Sequence, residues 1–337
     1  MITFVLGTRP EAIKLVPIMM ELQRRNIDFY IVLTGQQKEA KEILDHYDFH
    51  YNNLAHEAIN NIPITVGTYV DLIDQQLKYY NDVGSVSCII VQGDTTSAYS
   101  GALTGFLNRI PVVHVEAGLR TSSIDSPFPE EGYRRMITQI SSYHFAPTES
   151  DSLNIPGNNK QVVGNTVIDL LVKTIEKVDT QHTLITIHRR ENDNNIELFK
   201  SIKEAIAWRP DEKFIFVTHV RKEKQDFVKA QLGNLPNVEI LPPQPYWDFV
   251  RLLANAKLVI TDSGGIQEEA TYLQKPLLVL RTETERLGGN LIKSPNYLDT
   301  MIFRTLEEAP PNNRYTYGRG NASKLIVDKL IELHYYD

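Results

Sequence analysis

The stretch 257-KLVITDSGGIQEEATYLQKPLLVL-280 reads as an apolar strand, a Ser-Gly-Gly turn, a helix carrying Glu268 and Glu269, and a second apolar strand. A strand that feeds a helix through glycines and returns to a strand is the repeating unit of a parallel α/β sheet. Asp262, Ser263, Gly264 and Gly265 fall where the strand ends and the helix begins. Unpaired backbone N–H groups and the positive end of the helix dipole suit a phosphate there. The two glycines let the backbone approach such a ligand with no Cβ in the way. Glu269, one turn on, is placed to accept hydrogen bonds from a ribose. In isolation the same residues also describe a capped turn with no ligand.

Outward from this unit, short apolar runs alternate with longer helical patterns. Strands are expected near 2–6, 29–33, 88–92, 111–115, 143–146 and 161–163, then near 183–187, 213–217, 237–241, 257–261 and 276–280. Runs of Val, Ile and Leu without alternation indicate strands covered on both faces. The expected fold is therefore α/β, with two doubly wound parallel-sheet Rossmann-like domains and ligand in an inter-domain cleft at the carboxyl ends of the strands. The expected domains are residues 1–168, with the terminal helix 319–337 packing back on them, and residues 169–318. The tail 318-GRGNASKLIVDKLIELHYYD-337 suggests an Asn-Ala-Ser cap followed by an amphipathic helix. Residues 51–70 show no clear period and read as loop followed by helix.

Composition narrows the class. At 337 residues the chain exceeds one ordinary domain, and no apolar run is long enough to span a bilayer. A net charge of −7 argues against nucleic acid as the main partner. The single cysteine, Cys88, excludes a disulfide framework or a cysteine-based zinc site. The opening MITFVLGTRPEAIK reads as a first strand and not as a signal peptide, which points to the cytoplasm.

The strand ends carry the chemistry. In 7-GTRPEAIKLVPIMMEL-22, Pro10 suits a first helical turn, and Arg9 and Lys14 oppose the dipole there unless an anion binds. In 91-VQGDTTSAYSGALTGF-106, Asp94 either caps the next helix or faces the ligand, and the spacing does not separate the two. Glu116 follows a strand in 114-HVEAGLRT-121, and Glu130 and Glu131 open a helix in 127-PFPEEGYRRMI-137. Carboxylates gathered at one sheet edge can serve as general acid and base. In 186-TIHRRENDNNI-196, His188, Arg189, Arg190 and Glu191 sit at a strand's carboxyl end. Arginine forks and imidazole suit phosphate oxygens. His219, in 216-FVTHVRK-222, is either a similar ligand or an ordinary strand-end histidine. In 280-LRTETERLGG-289, Arg281, Glu283, Glu285 and Arg286 form a rim ion-pair network or hold substrate.

Taken together, GTRPEAIK, QGDTTSA, HVEAGLRT, PFPEE, VGNTVIDLL, HRREN, TDSGGIQEEA and RTETER resemble the non-hydrolysing UDP-N-acetylglucosamine 2-epimerase family, in the family's order and over nearly the whole chain. The resemblance implies a GT-B arrangement, a homodimer, and interconversion of UDP-GlcNAc and UDP-ManNAc. It implies no nicotinamide or metal cofactor. By motif position Asp94, Glu116 and Glu130 look like the family's catalytic carboxylates and His188 like its histidine near the diphosphate. Arg9, Ser263, Gly264, Gly265 and Glu269 look like its UDP ligands, with Lys14, His219 and Arg286 as further substrate-binding candidates. The implied route is anti elimination of UDP to 2-acetamidoglucal, then re-addition to the other face. Which carboxylate is the base stays open.

Two stretches depart from the family pattern: 34-TGQQ-37 in place of TGQH, and RTETERLGG in place of RDTTERPE. They put an allosteric UDP-GlcNAc site and the sugar-side contacts in question. Competing readings are a hydrolysing 2-epimerase, a diacetamido uronic acid epimerase, a GT-B glycosyltransferase and a silent nucleotide-sugar sensor. The first of these shares the fold and the glucal intermediate but releases ManNAc and UDP, and the GTRPEAIK opening favours the non-hydrolysing form over it.

Overall fold

A computed structural model describes residues 1–54, 61–83 (backbone only at 82 and 83), 85–175, 182–189, 192, 194–281, 284, 286–291, 297–307 and 313–336. The chain divides into two compact units, Met1–Leu170 with Tyr317–Asp337, and Leu171–Thr316.

The first unit runs β1 (Ile2–Leu6), α1 (Arg9–Arg24), β2 (Phe29–Leu33), α2 (Glu39–His46), β3 (Asn52–Asn53), α3 (Ile62–Val83), β4 (Cys88–Gln92), α4 (Thr96–Leu107), β5 (Val112–Val115), α5 (Glu130–Ile140), β6 (Tyr143–Ala146), α6 (Glu149–Leu153) and β7 (Lys160–Val162), and α7 (Thr166–Thr174) leads out of it. The second runs β8 (His182–Thr186), α8 (Ile196–Ala207), β9 (Phe214–Val217), α9 (Lys222–Leu232), β10 (Val238–Leu241), α10 (Tyr246–Ala254), β11 (Ala256–Thr261), α11 (Gly264–Tyr272), β12 (Leu277–Val279), β13 (Asn290–Leu291) and α12 (Leu298–Glu307), and α13 (Ala322–Glu332) belongs to the first unit.

Each unit is a parallel sheet wound in both directions from its first strand. The orders are β3-β2-β1-β4-β5-β6-β7 and β10-β9-β8-β11-β12-β13. β1 pairs in parallel with both β2 and β4, and β8 with both β9 and β11. The seams β1/β4 and β8/β11 are thus the points where the strand order reverses, and the strand ends there face a crevice not filled by a crossover.

The uninterrupted apolar runs are explained by cover on both faces. In β11, Leu258 and Ile260 pack with Phe214, Phe216 and Ile202, whereas Val259 packs with Leu184, Ile215 and Val250's helical neighbour Leu253. At roughly 1.5–3 kcal/mol for each large side chain removed from water, these two layers hold the second sheet. In the first sheet Val5, Ile89 and Val91 meet Tyr69, Ile73, Ala98 and Ala102.

Three features differ from the sequence expectation. Two edge strands of two residues each, β3 and β13, extend the sheets, and β3 lies in the stretch read as loop. Asn321 stands at the start of α13 but makes no side-chain cap bond. The Asp169 carboxylate of α7 caps that helix instead, accepting from Ala322 N at 3.0 Å and Ser323 N at 2.7 Å. α13 also meets α1 through the Arg25–Asp328 ion pair at 2.7 Å. Among the described residues, no helix is long and apolar enough to cross a membrane.

Candidate active site

In the first unit the site begins at the β1–α1 turn. Thr8 caps α1, and Glu11 closes the capping box. Glu11 is fully buried; one oxygen accepts from Gly7 N at 3.0 Å and Thr8 N at 2.7 Å, the other from Thr95 Oγ1 at 2.6 Å. Burial pushes its carboxyl up to about 7 against the pull of these donors. Thr95 in turn caps α4, accepting from Ala98 N at 3.0 Å. A Cβ on Gly7 would collide with the hydroxyls of Thr34 and Ser97, so only glycine fits this junction. Both helix starts are therefore closed by their own side chains. Arg9 begins α1, with its N–H donating to Gln37 Oε1 at 3.2 Å.

Thr95, not Asp94, is the α4 cap, and Asp94 is released to face outward. Its Oδ2 accepts from Arg134 Nε of α5 at 2.7 Å. Arg134 Nη1 also reaches Glu131 Oε2 at 3.2 Å, and Glu131 is held further by Arg135 Nε at 2.8 Å and Thr121 N at 3.1 Å. Burial works to raise the Glu131 carboxyl, but Arg135, Thr121 and Arg134 outweigh it and keep it below its ordinary value.

Glu116 follows β5 with φ +60°, in the left-handed region, and is buried. Such a backbone costs a non-glycine residue roughly 1–2 kcal/mol and is typically stored at functional sites. Lys14 Nζ and Gln92 Nε2 both donate to its Oε2. Lys14 thus serves a carboxylate in this unit, where the sequence suggested an anion at the helix start. Glu130 is the first residue of α5, and its Oε2 is buried with no hydrogen-bond partner. Glu116, just past β5, is thus joined to Lys14, and Asp94, just past β4, is joined to Arg134 on α5, the helix that Glu130 begins.

Beneath them His114 Nε2 meets Gly93 O at 2.8 Å, which places the proton on Nε2. Burial, then His144, pushes its pKa down to about 3, so the ring is neutral.

The second unit carries the other half of the candidates. Fully buried Asp262, the residue after β11, accepts from His188 N at 2.9 Å, Arg189 N at 3.0 Å and Asn192 Nδ2 at 2.9 Å. That carboxylate ties the end of β8 to the end of β11, next to the α11 start. The His188 and His219 rings lie 5.7 Å apart. His219 Nδ1 accepts from Arg221 N at 3.1 Å, so that nitrogen carries no proton.

Ser263 makes no side-chain cap bond at the start of α11 among the described residues. Among the described residues a Cβ on Gly265 would meet nothing within 4 Å, whereas one on Gly264 would come 3.0 Å from Arg286 Nε. Gly265 therefore leaves the helix start open to a ligand, while Gly264 makes room for Arg286. Arg286 Nε donates to Glu268 Oε1 at 3.0 Å, and Tyr246 OH donates to Glu269 Oε1 at 2.7 Å. One Glu269 oxygen is engaged within the protein. Arg281 Nη1 donates to Thr284 Oγ1 at 3.2 Å. Arg190, Glu191, Glu283 and Glu285 lie outside the described residues.

Residues 20–331 match the sequence profile of the UDP-N-acetylglucosamine 2-epimerases. The chain belongs to the UDP-N-acetylglucosamine 2-epimerase family. It is 35% identical to the UDP-N-acetylglucosamine 2-epimerase of Neisseria meningitidis, over 97% of this chain and 98% of that one. The crystal structure of the Neisseria meningitidis UDP-GlcNAc 2-epimerase bound to UDP-GlcNAc superposes with a TM-score of 0.88, at 33% identity, covering 98% and 99% of the two chains. That of Methanocaldococcus jannaschii in complex with UDP-GlcNAc and UDP gives 0.82, at 32% identity, covering 98% and 99%.

Within this epimerase-family chain, sequence reasoning passed over Glu11, Gln92, Arg134 and Tyr246, and it placed Glu131 and Asp262 at strand and helix ends without the bonds they make. Glu11 had a local signal, because Thr8-Arg-Pro-Glu11 is a capping-box pattern. The others act through partners 23 to 74 positions away, apart from the local bonds of Glu131.

Proposed function

We propose that this chain interconverts UDP-GlcNAc and UDP-ManNAc without hydrolysis. One observation carries the nucleotide side: α1 and α4 are capped by the side chains of Thr8 and Thr95, whereas α11 opens on Ser263-Gly264-Gly265, where Ser263 makes no such bond among the described residues. Its N–H groups and dipole suit the diphosphate, and His188 of the same unit adds a donor; the family resemblance makes Arg9 a further UDP ligand. Asp94, Glu116 and Glu130 serve the sugar.

Carbon 2 of the substrate has no carbonyl neighbour, so simple removal and return of its proton is disfavoured. Instead a carboxylate takes the carbon 2 proton while the bond from carbon 1 to the diphosphate breaks, its electron pair leaving with UDP. The product pair is 2-acetamidoglucal and UDP. Re-addition of UDP oxygen at carbon 1 and delivery of a proton to the opposite face of carbon 2 gives the epimer. Two carboxylates on opposite faces satisfy both directions, and exclusion of water keeps the glucal from being lost.

The reading includes a homodimer, supported by the family resemblance and testable by sedimentation. It includes a reducing cytoplasmic setting, with which the free Cys88 thiol agrees. The deciding experiment is incubation with UDP-GlcNAc in heavy water, followed by NMR. Deuterium should appear at carbon 2 of both UDP-GlcNAc and UDP-ManNAc. Free ManNAc with UDP would replace this reading by a hydrolysing one, and absence of exchange would end it.

A further inference from the structure

We propose that Arg134, braced by Glu131, is the positioning residue that presents Asp94 to the substrate, occupying one carboxylate oxygen and leaving the other for the reacting proton. This rests on the reading of Asp94 as a reacting carboxylate. The arrangement is graded in exposure: the side chains of Glu131, Arg134 and Asp94 are 0%, 7% and 24% exposed. The buried end is immobile, because Glu131 is fixed by the Thr121 N–H as well as by Arg135. Arg134 is therefore pinned at Nη1, and its planar fork dictates where Nε meets Asp94 Oδ2. Oδ1 of Asp94 has no hydrogen-bond partner among the described residues, and it lies on the exposed end of the chain of contacts.

The same helix turn adds a second consequence. Glu130 and Arg134 are four residues apart on α5 and share a face. Fixing Arg134 to Asp94 thus also fixes the distance from Asp94 to Glu130, whose Oε2 is buried without a donor. An acid and a base on opposite faces of one sugar ring need such a set spacing. A buried ion triad serving stability alone would need no exposed end and no unpartnered neighbour.

The test uses the intact chain with UDP-GlcNAc, reading kcat, KM, carbon 2 exchange and thermal midpoint, with Asp94→Asn as the control. Arg134→Ala should lose about 100-fold in kcat with KM little changed, since small misplacements of a reacting group cost that much. Added guanidinium should restore part of the rate to Arg134→Ala and none to Asp94→Asn. Arg134→Lys, which keeps the charge but cannot bridge both carboxylates, should lose about tenfold or more with an unchanged midpoint. Glu131→Gln should move kcat in the same direction. An Arg134→Ala protein with parental kcat, while Asp94→Asn is inactive, overturns the positioning role and leaves the epimerase reading intact. Should Arg134→Ala fail to fold, a fully active Arg134→Lys overturns it equally. An active Asp94→Asn overturns the underlying reading instead.

Discussion

Asp262 Oδ1 accepts a hydrogen bond from the backbone N–H of His188 at 2.9 Å, across the seam between β8 and β11. The bond joins the two strand ends where the sheet order reverses, and the other Asp262 oxygen takes Arg189 N and Asn192. A fully buried carboxylate thus sets the backbone under His188 and the start of the α11 turn at once.

Replacing Asp262 with Ala should strand two backbone donors, each costing about 1–3 kcal/mol when left unpaired. The expected loss is roughly 3 kcal/mol in chemical denaturation, together with weaker UDP binding by calorimetry. A variant that kept both would show that the loop holds its shape by other means.

The Lys14–Glu116 pair makes a second prediction. Both side chains are nearly buried, at 9% and 4% exposure. Lys14→Met takes this ammonium away from the buried Glu116 carboxylate and should cost about 3–5 kcal/mol. Adding Glu116→Gln should give back part of that loss, because the buried negative charge is gone. The double-mutant cycle measures the coupling, and simple additivity would argue that the pair contributes little.

How far the sequence could be read depends on the range of each interaction. Both doubly wound sheets were legible because buried strands such as Val259 and Ile260 must be apolar on both faces. β3 and β13 were not, since two residues, one pair of them Asn52–Asn53, carry no period and little apolar area. Asp94 was ambiguous beside Thr95 because either could cap α4; only the hydroxyl's bond to Ala98 N decides it. The Asn-Ala-Ser cap failed for the opposite reason. A good local cap lost to Asp169, which supplies a charged acceptor from 153 positions away. The acids of the first unit were visible as residues, but the cations that place them, Lys14 and Arg134, follow no spacing rule.

Glu11 should give the protein a pH signature. Its folded pKa of about 7 lies above the ordinary 4.5, so folding takes up a proton between those values. The stabilisation is complete below about 4.5 and is lost as pH rises through about 7, a span of roughly 3 kcal/mol at most. In Glu11→Gln the amide oxygen can still accept from Gly7 and Thr8, and the amide nitrogen can donate to Thr95. Its stability should therefore be flat over the same window and exceed the parent's at pH 8. Denaturation curves at pH 5, 6, 7 and 8 would show this. Parallel pH profiles for the two proteins would mean that Glu11 stays charged.

The two glycines of the α11 turn separate a ligand site from a plain helix start. Alanine at Gly265 would meet nothing within 4 Å among the described residues, and it would gain about 1 kcal/mol in helix preference. If the turn only starts a helix, Gly265→Ala should be neutral or stabilising and leave UDP binding alone. If a phosphate lies against those N–H groups, the new methyl occupies its place, and affinity should fall at least about tenfold while stability holds. Gly264→Ala should act differently, because its methyl comes 3.0 Å from Arg286 Nε, so the Arg286 side chain that donates to Glu268 must give way by a few tenths of an ångström. That variant should lose stability and affinity together. Calorimetric titration with UDP beside a thermal melt reads both quantities, and tight UDP binding by a stabilised Gly265→Ala protein would remove the diphosphate from this turn.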